Sequence, residues 1–198
     1  MEKAIVWILW LGGAYLIGAI PFGFLIGKMR GVDVRTVGSK NIGATNVYRT
    51  VGHKWGFLAF FCDFLKGFLP AFLALRFVSS VNANLPVCVG LACVIGHTLT
   101  VFMKFRGGKG VATAFGMMVA LATYPALLAF AVFVVTVWIS HYISLGSMLA
   151  AAALAGLVWV FPCLLAARII AVLVAVFVIV KHKSNIQRLM KGCENKIY

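Results

Sequence analysis

Phe105-Arg106-Gly107-Gly108-Lys109-Gly110-Val111-Ala112-Thr113 lies between two long apolar runs of the chain. Three glycines and two cations within residues 106–110 do not suit a membrane span, but they suit the binding of an anion. Glycine lets backbone N–H groups turn toward an oxyanion, lysine adds a point charge, and a following helix adds the positive end of its dipole. The stretch therefore predicts a phosphate-binding loop at the edge of a bilayer.

The overall composition predicts an integral membrane protein. Of the 198 residues, 63% are hydrophobic, which is more than a soluble domain of this length can bury. The length predicts a single domain over residues 1–198. The net charge of +14 suits nucleic acid, anionic lipid or an anionic substrate. Nucleic acid fits worst, because the cations flank apolar runs and form no soluble basic module.

Hydropathy predicts the number of helices. The chain has six apolar runs, each near the length that a bilayer requires: residues 4–26, 55–78, 86–102, 111–139, 145–161 and 164–180. Tyr124-Pro125 interrupts the fourth run, and proline disfavours a continuous helix. We therefore predict a hairpin there, and an all-α polytopic membrane bundle of seven transmembrane helices. The alternative is one long tilted helix over residues 111–139.

The distribution of cations predicts the orientation in the membrane. Residues 28–54, 104–109 and 181–198 contain six, three and five Lys/Arg, so we place all three segments in the cytoplasm. Seven helices satisfy this placement with the N-terminus outside and the C-terminus inside. The halves of the hairpin are short, which fits re-entrant-like cytoplasmic loops at residues 107–113 and 140–147 that line a polar cavity.

Three further polar stretches contain candidate binding residues. Residues 37–49 offer hydroxyl and amide donors and, in Arg49, a bidentate fork for phosphate. Residues 140–147 contain Ser144 and Ser147, and residues 181–188 place His182 and Asn185 on one helix face. The alternatives are ordinary helix caps for the first two stretches and a basic tail that binds anionic headgroups for the last.

Charged side chains inside the apolar runs need partners. Asp63 and Lys66 lie three positions apart in the second run, and we predict that they pair with each other or with the first loop in a structural role. His97, near a cytoplasmic helix end, is predicted to be a structural hydrogen-bonding residue. The chain has only 4 Asp/Glu, which argues against paired-carboxylate hydrolysis and two-metal catalysis.

Four stretches resemble the signature stretches of the bacterial acyl-phosphate:glycerol-3-phosphate acyltransferases, which are small integral membrane enzymes. They are Gly38-Ser-Lys-Asn-Ile-Gly-Ala-Thr-Asn-Val-Tyr-Arg49, Gly107-Gly-Lys-Gly-Val-Ala-Thr113, Ser144-Leu-Gly-Ser147 and Lys181-His-Lys-Ser-Asn-Ile186. The resemblance covers essentially the whole chain. One departure is Thr100, where the family often has proline.

The resemblance implies a reaction in phospholipid biosynthesis at the bacterial cytoplasmic (inner) membrane. A long-chain acyl phosphate donates its acyl group to the 1-hydroxyl of sn-glycerol 3-phosphate, giving lysophosphatidate and phosphate without acyl-CoA. Two phosphate substrates explain the excess of cations, and an alkyl tail explains a site at membrane depth. Because the mixed anhydride is already activated, we expect no metal or other cofactor. We also expect a monomer.

We assign roles to the matching residues as hypotheses. Phosphate binding is assigned to Ser39, Arg49 and Lys109 with the backbone N–H groups of Gly107, Gly108 and Gly110. Asn41, Thr45 and Asn46 would orient the glycerol backbone or shape the loop. Ser147, or else Ser144, would lie near the acyl phosphate, and His182 and Asn185 would contact glycerol 3-phosphate.

The general base is open between two groups, and so is the class of function. His182 is the protein's candidate by residue type, and a substrate phosphate is the alternative. A transporter or channel for a small phosphorylated anion would also need a basic cavity, although the sequence shows no internal repeat. A non-enzymatic lipid-binding subunit would need basic loops, but not a hydroxyl-and-amide cluster beside them.

Overall fold

A computed structural model describes residues 2–197, and over this range its regular elements are all helices. The chain forms two compact units, the first ending at Leu121 and the second beginning at Ala122. The expectation of an all-α fold is therefore confirmed for the described residues. A single functional domain over the whole chain stays a prediction.

Over residues 2–121 the first unit contains six α-helices: α1 (Glu2–Ala19), α2 (Phe22–Met29), α3 (Ala44–Thr50), α4 (His53–Phe77), α5 (Leu85–Thr98) and α6 (Val111–Leu121). The second unit, described up to residue 197, contains four: α7 (Thr123–Ser140), α8 (Ile143–Leu157), α9 (Leu165–Lys181) and α10 (Lys183–Met190). Polar loops separate α2 from α3 and α5 from α6. These two loops hold most of the candidate residues of the first unit.

Glycines allow the helices of the first unit to pack closely. A Cβ added to Gly67 of α4 would overlap the Thr113 carbonyl oxygen of α6, and one added to Gly116 of α6 would overlap the Phe64 carbonyl oxygen of α4. Gly18 of α1 packs in the same way against the backbone of α5. Small residues are the usual means of close helix packing in lipid. The α4–α6 contact sets the position of the loop that precedes α6.

The break between α1 and α2 falls at Ile20-Pro21, and side chains from elsewhere in the unit satisfy the carbonyls it exposes. Thr100 donates its hydroxyl to Ala19 O over 2.6 Å, and Lys66 donates Nζ to Ile20 O over 2.8 Å. Both donors are buried. In an apolar environment unsatisfied carbonyls are costly, so these bonds stabilise the bend.

Among the residues that the structure describes, four helical segments are long and apolar enough to cross a membrane: Glu2–Met29, His53–Phe77, Leu85–Met103 and Thr123–Ser140. Leu165–Lys181 with Lys183–Met190, bent by 56°, raises the number to five, and Val111–Leu121 and Ile143–Leu157 are shorter apolar helices. Large apolar side chains such as Ile8 and Trp138 are 70% and 72% exposed, as suits contact with lipid. Seven spans and re-entrant loops stay predictions.

The predicted interruption of residues 111–139 is present, but it lies slightly earlier than expected. Helix α6 ends at Leu121 and α7 begins at Thr123, while Ala122 between them has φ −150° and ψ 66°. Pro125 lies in the first turn of α7, where its missing N–H costs no helical hydrogen bond. The proline therefore belongs to the first turn of the second helix and does not itself form the break.

Candidate active site

Asn46 holds the loop between α2 and α3 in shape. Its amide nitrogen donates to Val34 O (2.8 Å) and Val37 O (3.2 Å), and its amide oxygen accepts from Ser39 N (2.9 Å). The side chain is 1% exposed. Of the two roles that the sequence left open for Asn46, these contacts favour shaping the loop.

The other candidates of this loop lie around that centre. Ser39 is exposed, and Thr45 and Arg49 are half-buried on α3. Asn41 accepts a hydrogen bond from Gly43 N over 2.8 Å, which forms the turn into α3. The side chains of Asn41 and Asn46 thus form hydrogen bonds with the backbone of the loop, whereas the side chain of Ser39 is exposed.

An exposed ion pair lies at the start of the same loop. Arg35 Nη2 lies 2.7 Å from Asp33 Oδ2, and the Arg35 backbone N–H also donates to Asp33 Oδ1. Hydrogen bonds from this guanidinium and from the backbone lower the pKa of Asp33 to about 2. The Arg35 guanidinium is therefore paired with Asp33. We expect other cations of this loop to bind phosphate.

The glycine loop before α6 is tied to the end of α5. Gly107 N donates to Thr98 O (3.1 Å), and Gly108 N donates to His97 O (3.2 Å). This differs from the prediction that both amides face a phosphate, because the chain must pair with α5 to turn back. Gly110 has φ +79°, a left-handed conformation that favours glycine.

The amides available at the start of α6 lie slightly further along the chain than predicted. The first hydrogen bond of the helix runs from Ala114 N to Gly110 O over 2.8 Å, so the N–H groups of residues 111–113 precede the helical ladder. The N-terminus of a helix attracts anions through such amides and through its dipole. Lys109, half-buried, stands immediately before them.

In the second unit, His182 lies where α9 gives way to α10. Its Nδ1 lies 2.7 Å from Val178 O, and because a carbonyl oxygen only accepts, Nδ1 must hold the proton. In the neutral imidazole Nε2 then bears the lone pair, which is the state that a general base requires. The side chain is 3% exposed.

Glu194 joins three polar side chains of the second unit and was not singled out from the sequence. It accepts hydrogen bonds from Ser144 Oγ (3.0 Å), Asn185 Nδ2 (2.7 Å) and Arg188 Nε (2.6 Å). Burial alone would raise its pKa, but these three donors outweigh that effect and lower the pKa below its ordinary value. Its position as the only acid among five cations in residues 181–198 was a signal that could have pointed to it.

Ser147 is buried one turn after Ile143 on α8. Its hydroxyl donates to the Ile143 carbonyl oxygen over 2.9 Å, and the hydroxyl oxygen keeps its capacity to accept. Ser144, also buried, uses its hydroxyl on Glu194. Within the second unit one carboxylate therefore links Ser144 and Asn185, and Nδ1 of His182 contacts Val178 O of its own helix.

The fold and these polar residues define an integral membrane protein with a helix N-terminus preceded by Lys109 in one unit and a buried imidazole in the other. A sequence model described as glycerol-3-phosphate acyltransferase matches residues 8–192. A glycerol-3-phosphate acyltransferase of Trichlorobacter lovleyi is 49% identical over 189 residues, which cover 96% of each chain. One of Desulfotalea psychrophila is 47% identical over 187 residues, covering 91% of this chain and 93% of the relative.

Two solved structures are similar over nearly the whole chain. The glycerol 3-phosphate form of PlsY (YgiH), an integral membrane glycerol 3-phosphate acyltransferase, is 40% identical with a TM-score of 0.91, covering 96% of this chain and 95% of that one. Its lysophosphatidic acid form is 39% identical with a TM-score of 0.89 and the same coverage. The chain belongs to the glycerol-3-phosphate acyltransferase family.

Proposed function

We propose that this protein transfers a long-chain acyl group from acyl phosphate to the 1-hydroxyl of sn-glycerol 3-phosphate, giving lysophosphatidate and inorganic phosphate. The observation that carries the proposal is the helix N-terminus of α6 with Lys109 in front of it, in a chain whose relatives are glycerol-3-phosphate acyltransferases. The solved relatives in glycerol 3-phosphate and lysophosphatidic acid forms support the acceptor and the product.

In the proposed reaction the acceptor hydroxyl oxygen attacks the acyl carbonyl carbon. A new ester C–O bond forms, the bond between that carbon and the phosphate oxygen breaks, and phosphate leaves with its electron pair. The hydroxyl proton passes to Nε2 of His182 or to a substrate phosphate. No metal is needed for this balance, since the mixed anhydride supplies an activated leaving group.

The residues of each unit contribute in different ways. Lys109, Arg49 and Ser39, with the amides at the start of α6, neutralise phosphate oxygens through charge-assisted hydrogen bonds. Asn46 and Asn41 shape the first loop through their hydrogen bonds to its backbone, and Thr45 orients the glycerol backbone or shapes the loop. In the second unit, Asn185 contacts glycerol 3-phosphate, and Ser147, or else Ser144, accompanies the acyl phosphate.

The activity is tested with detergent-purified protein, palmitoyl phosphate and labelled glycerol 3-phosphate. We expect labelled lysophosphatidate with one phosphate released per product, and no product when palmitoyl-CoA replaces palmitoyl phosphate. Product formed only with palmitoyl-CoA would overturn the proposal that acyl phosphate is the donor. If neither donor gave product, the proposed acyltransferase activity would be overturned, and a transporter or a lipid-binding subunit would be favoured.

Charge-neutral variants locate the site. Arg49→Gln and Lys109→Gln are each expected to raise the KM for glycerol 3-phosphate or lower kcat by at least about tenfold, because each removes a charge-assisted contact. Lys104→Gln is the matched control, since Lys104 is an exposed cation of the same loop. Equal activity of all three variants would remove Arg49 and Lys109 from the site.

We further propose a monomer that spans the cytoplasmic membrane seven times, with its N-terminus outside and its active site facing the cytoplasm. Cys193 is an exposed thiol in the C-terminal tail and offers a natural probe. A membrane-impermeant thiol reagent should label it only after the cells are opened. Labelling of Cys193 in intact cells would contradict the proposal and show that the C-terminal tail lies outside.

A further inference from the structure

Three ionisable side chains are buried together among the helices of the first unit. Asp63 and Lys66 of α4 are 2% and 4% exposed, and His97 of α5 is 6% exposed. Asp63 Oδ1 lies 2.6 Å from Lys66 Nζ and 3.5 Å from His97 Nδ1. Charges at this depth are costly to bury, so a cluster of this kind indicates a role beyond filling space.

Lys66 extends the cluster toward the break between α1 and α2. Its ammonium donates to Ile20 O over 2.8 Å and lies 5.6 Å from the centre of the Phe22 ring. Helix α2 leads directly into the loop that contains Ser39. One end of the cluster therefore holds the backbone from which the first polar loop departs.

His97 extends the cluster toward the glycine loop. Its carbonyl oxygen accepts from Gly108 N over 3.2 Å, and a Cβ added to Gly108 would overlap Nε2 of the His97 ring. The imidazole thus contacts the loop backbone directly, on the side opposite to the nitrogen that faces Asp63. Lys109 is the next residue along the chain, so a shift of the ring moves the cation.

From these contacts we infer that Asp63 and His97 are positioning residues for phosphate binding: Asp63 holds the imidazole, and the imidazole supports the backbone of the glycine loop beneath Lys109. This rests on the proposed function of that loop. Neither residue is required to touch a substrate. Loss of either one lets the loop move away from the geometry that binds glycerol 3-phosphate, and misplacement of a binding group weakens binding steeply.

The test measures KM and kcat with palmitoyl phosphate, together with the Kd for glycerol 3-phosphate by calorimetry without an acyl donor. For His97→Ala and Asp63→Asn we expect KM and Kd to rise at least about tenfold while kcat stays within about threefold. Val89→Ala is the matched control, since Val89 is fully buried on α5 away from the loop. It should lower thermal stability without changing KM or Kd.

Two more variants separate positioning from general stability. His97→Asn keeps a donor toward Asp63 but lacks the ring atoms beside Gly108, so it should weaken binding like His97→Ala. Gly108→Ala should raise KM strongly in the native background and less in the His97→Ala background, because the overlapping ring is then absent. If His97 contributed only to the stability of the protein, the effect of Gly108→Ala on KM would be the same in both backgrounds.

The outcomes separate the positioning role from the function of the site. Unchanged KM and Kd in both His97→Ala and His97→Asn would overturn the positioning role, and so would additivity of Gly108→Ala with His97→Ala. If Asp63→Asn fails to fold, these His97 variants still decide the question. A wild-type protein that neither turns over nor binds glycerol 3-phosphate would instead overturn the proposed function.

Discussion

Asn185 donates its side-chain amide to Oε1 of Glu194 over 2.7 Å, and so connects α10 to the tail that follows it. Arg188 reaches the second oxygen of the same carboxylate, and Ser144 of α8 reaches the first. A side chain proposed to contact substrate is therefore oriented by one carboxylate that also fixes the C-terminal tail. Such outer partners commonly determine how accurately a functional group is held.

Glu194→Gln should reduce both stability and activity. The substitution replaces an oxygen that accepts hydrogen bonds with an amide that donates, and it removes the charge opposite Arg188. Since hydrogen bonds to charged groups contribute about 1.5–3 kcal/mol each, we expect the free energy of unfolding to fall by about 2 kcal/mol or more. Thermal unfolding in detergent measures this. Glu2→Gln, the same change at an exposed position, is the control and should leave the melting temperature unchanged.

The same carboxylate should make the protein sensitive to acid. The pKa of Glu194 in the folded state lies below the ordinary value of 4.5, so its contribution to stability is complete above that value. It is lost as the pH falls through the lower, folded-state pKa. Melting temperatures measured across this range should fall more steeply in the native protein than in Glu194→Gln. Parallel curves for the two proteins would contradict the assignment.

Thr100→Val should destabilise the bend between α1 and α2. The variant has nearly the same volume but leaves Ala19 O without the hydroxyl that donates to it over 2.6 Å. A buried carbonyl without a partner costs about 1–3 kcal/mol. Thr36→Val is a matched control. The exposed Thr36 hydroxyl donates to Asp33 O, and in the variant water can donate to that oxygen instead. Equal melting temperatures for the two variants would argue against the role of Thr100.

Gly116→Ala should separate α6 from α4 and lower activity together with stability. The added methyl would overlap the Phe64 carbonyl oxygen, which belongs to backbone and cannot rotate away. Gly12→Ala meets nothing within 4 Å and serves as the control. Because alanine is a better helix former by about 1 kcal/mol, that control should be neutral or stabilising. Thermal unfolding and kcat, measured on both variants, check the pair.

His182→Ala should decide which group takes the proton. If Nε2 is the base, kcat should fall by about a hundredfold or more, and the loss of activity at low pH caused by protonation of the imidazole should disappear. The measurement is the pH profile of kcat with saturating substrates. A small loss of rate with an unchanged profile would assign the proton to a substrate phosphate.

Local features of the sequence were sufficient for part of this structure. Apolar runs and turn residues predicted the helical segments, and the spacing of Asp63 and Lys66 predicted their ion pair, which is confirmed at 2.6 Å. The break after α6 was located to within a few residues. The proline beside it was misassigned because proline suits both a helix interruption and the first turn of a new helix.

Long-range pairings were beyond the reach of sequence patterns. Glu194 meets Ser144 across 50 positions, and no periodicity connects an acid in a basic tail with a serine on another helix. The amides of Gly107 and Gly108 were assigned to a ligand, but the chain reversal after α5 uses them internally. The sequence predicted which residue types are present at the site, whereas their partners depend on the tertiary fold.

The bend near Pro21 also has a consequence for biosynthesis. The side chains that complete it are synthesised 46 and 81 residues after the carbonyls that they bind. During translation the carbonyls of Ala19 and Ile20 therefore lack these two donors until the later segments have been made. We expect ribosome-stalled chains that end before Thr100 to be cut near Pro21 by protease more readily than longer ones.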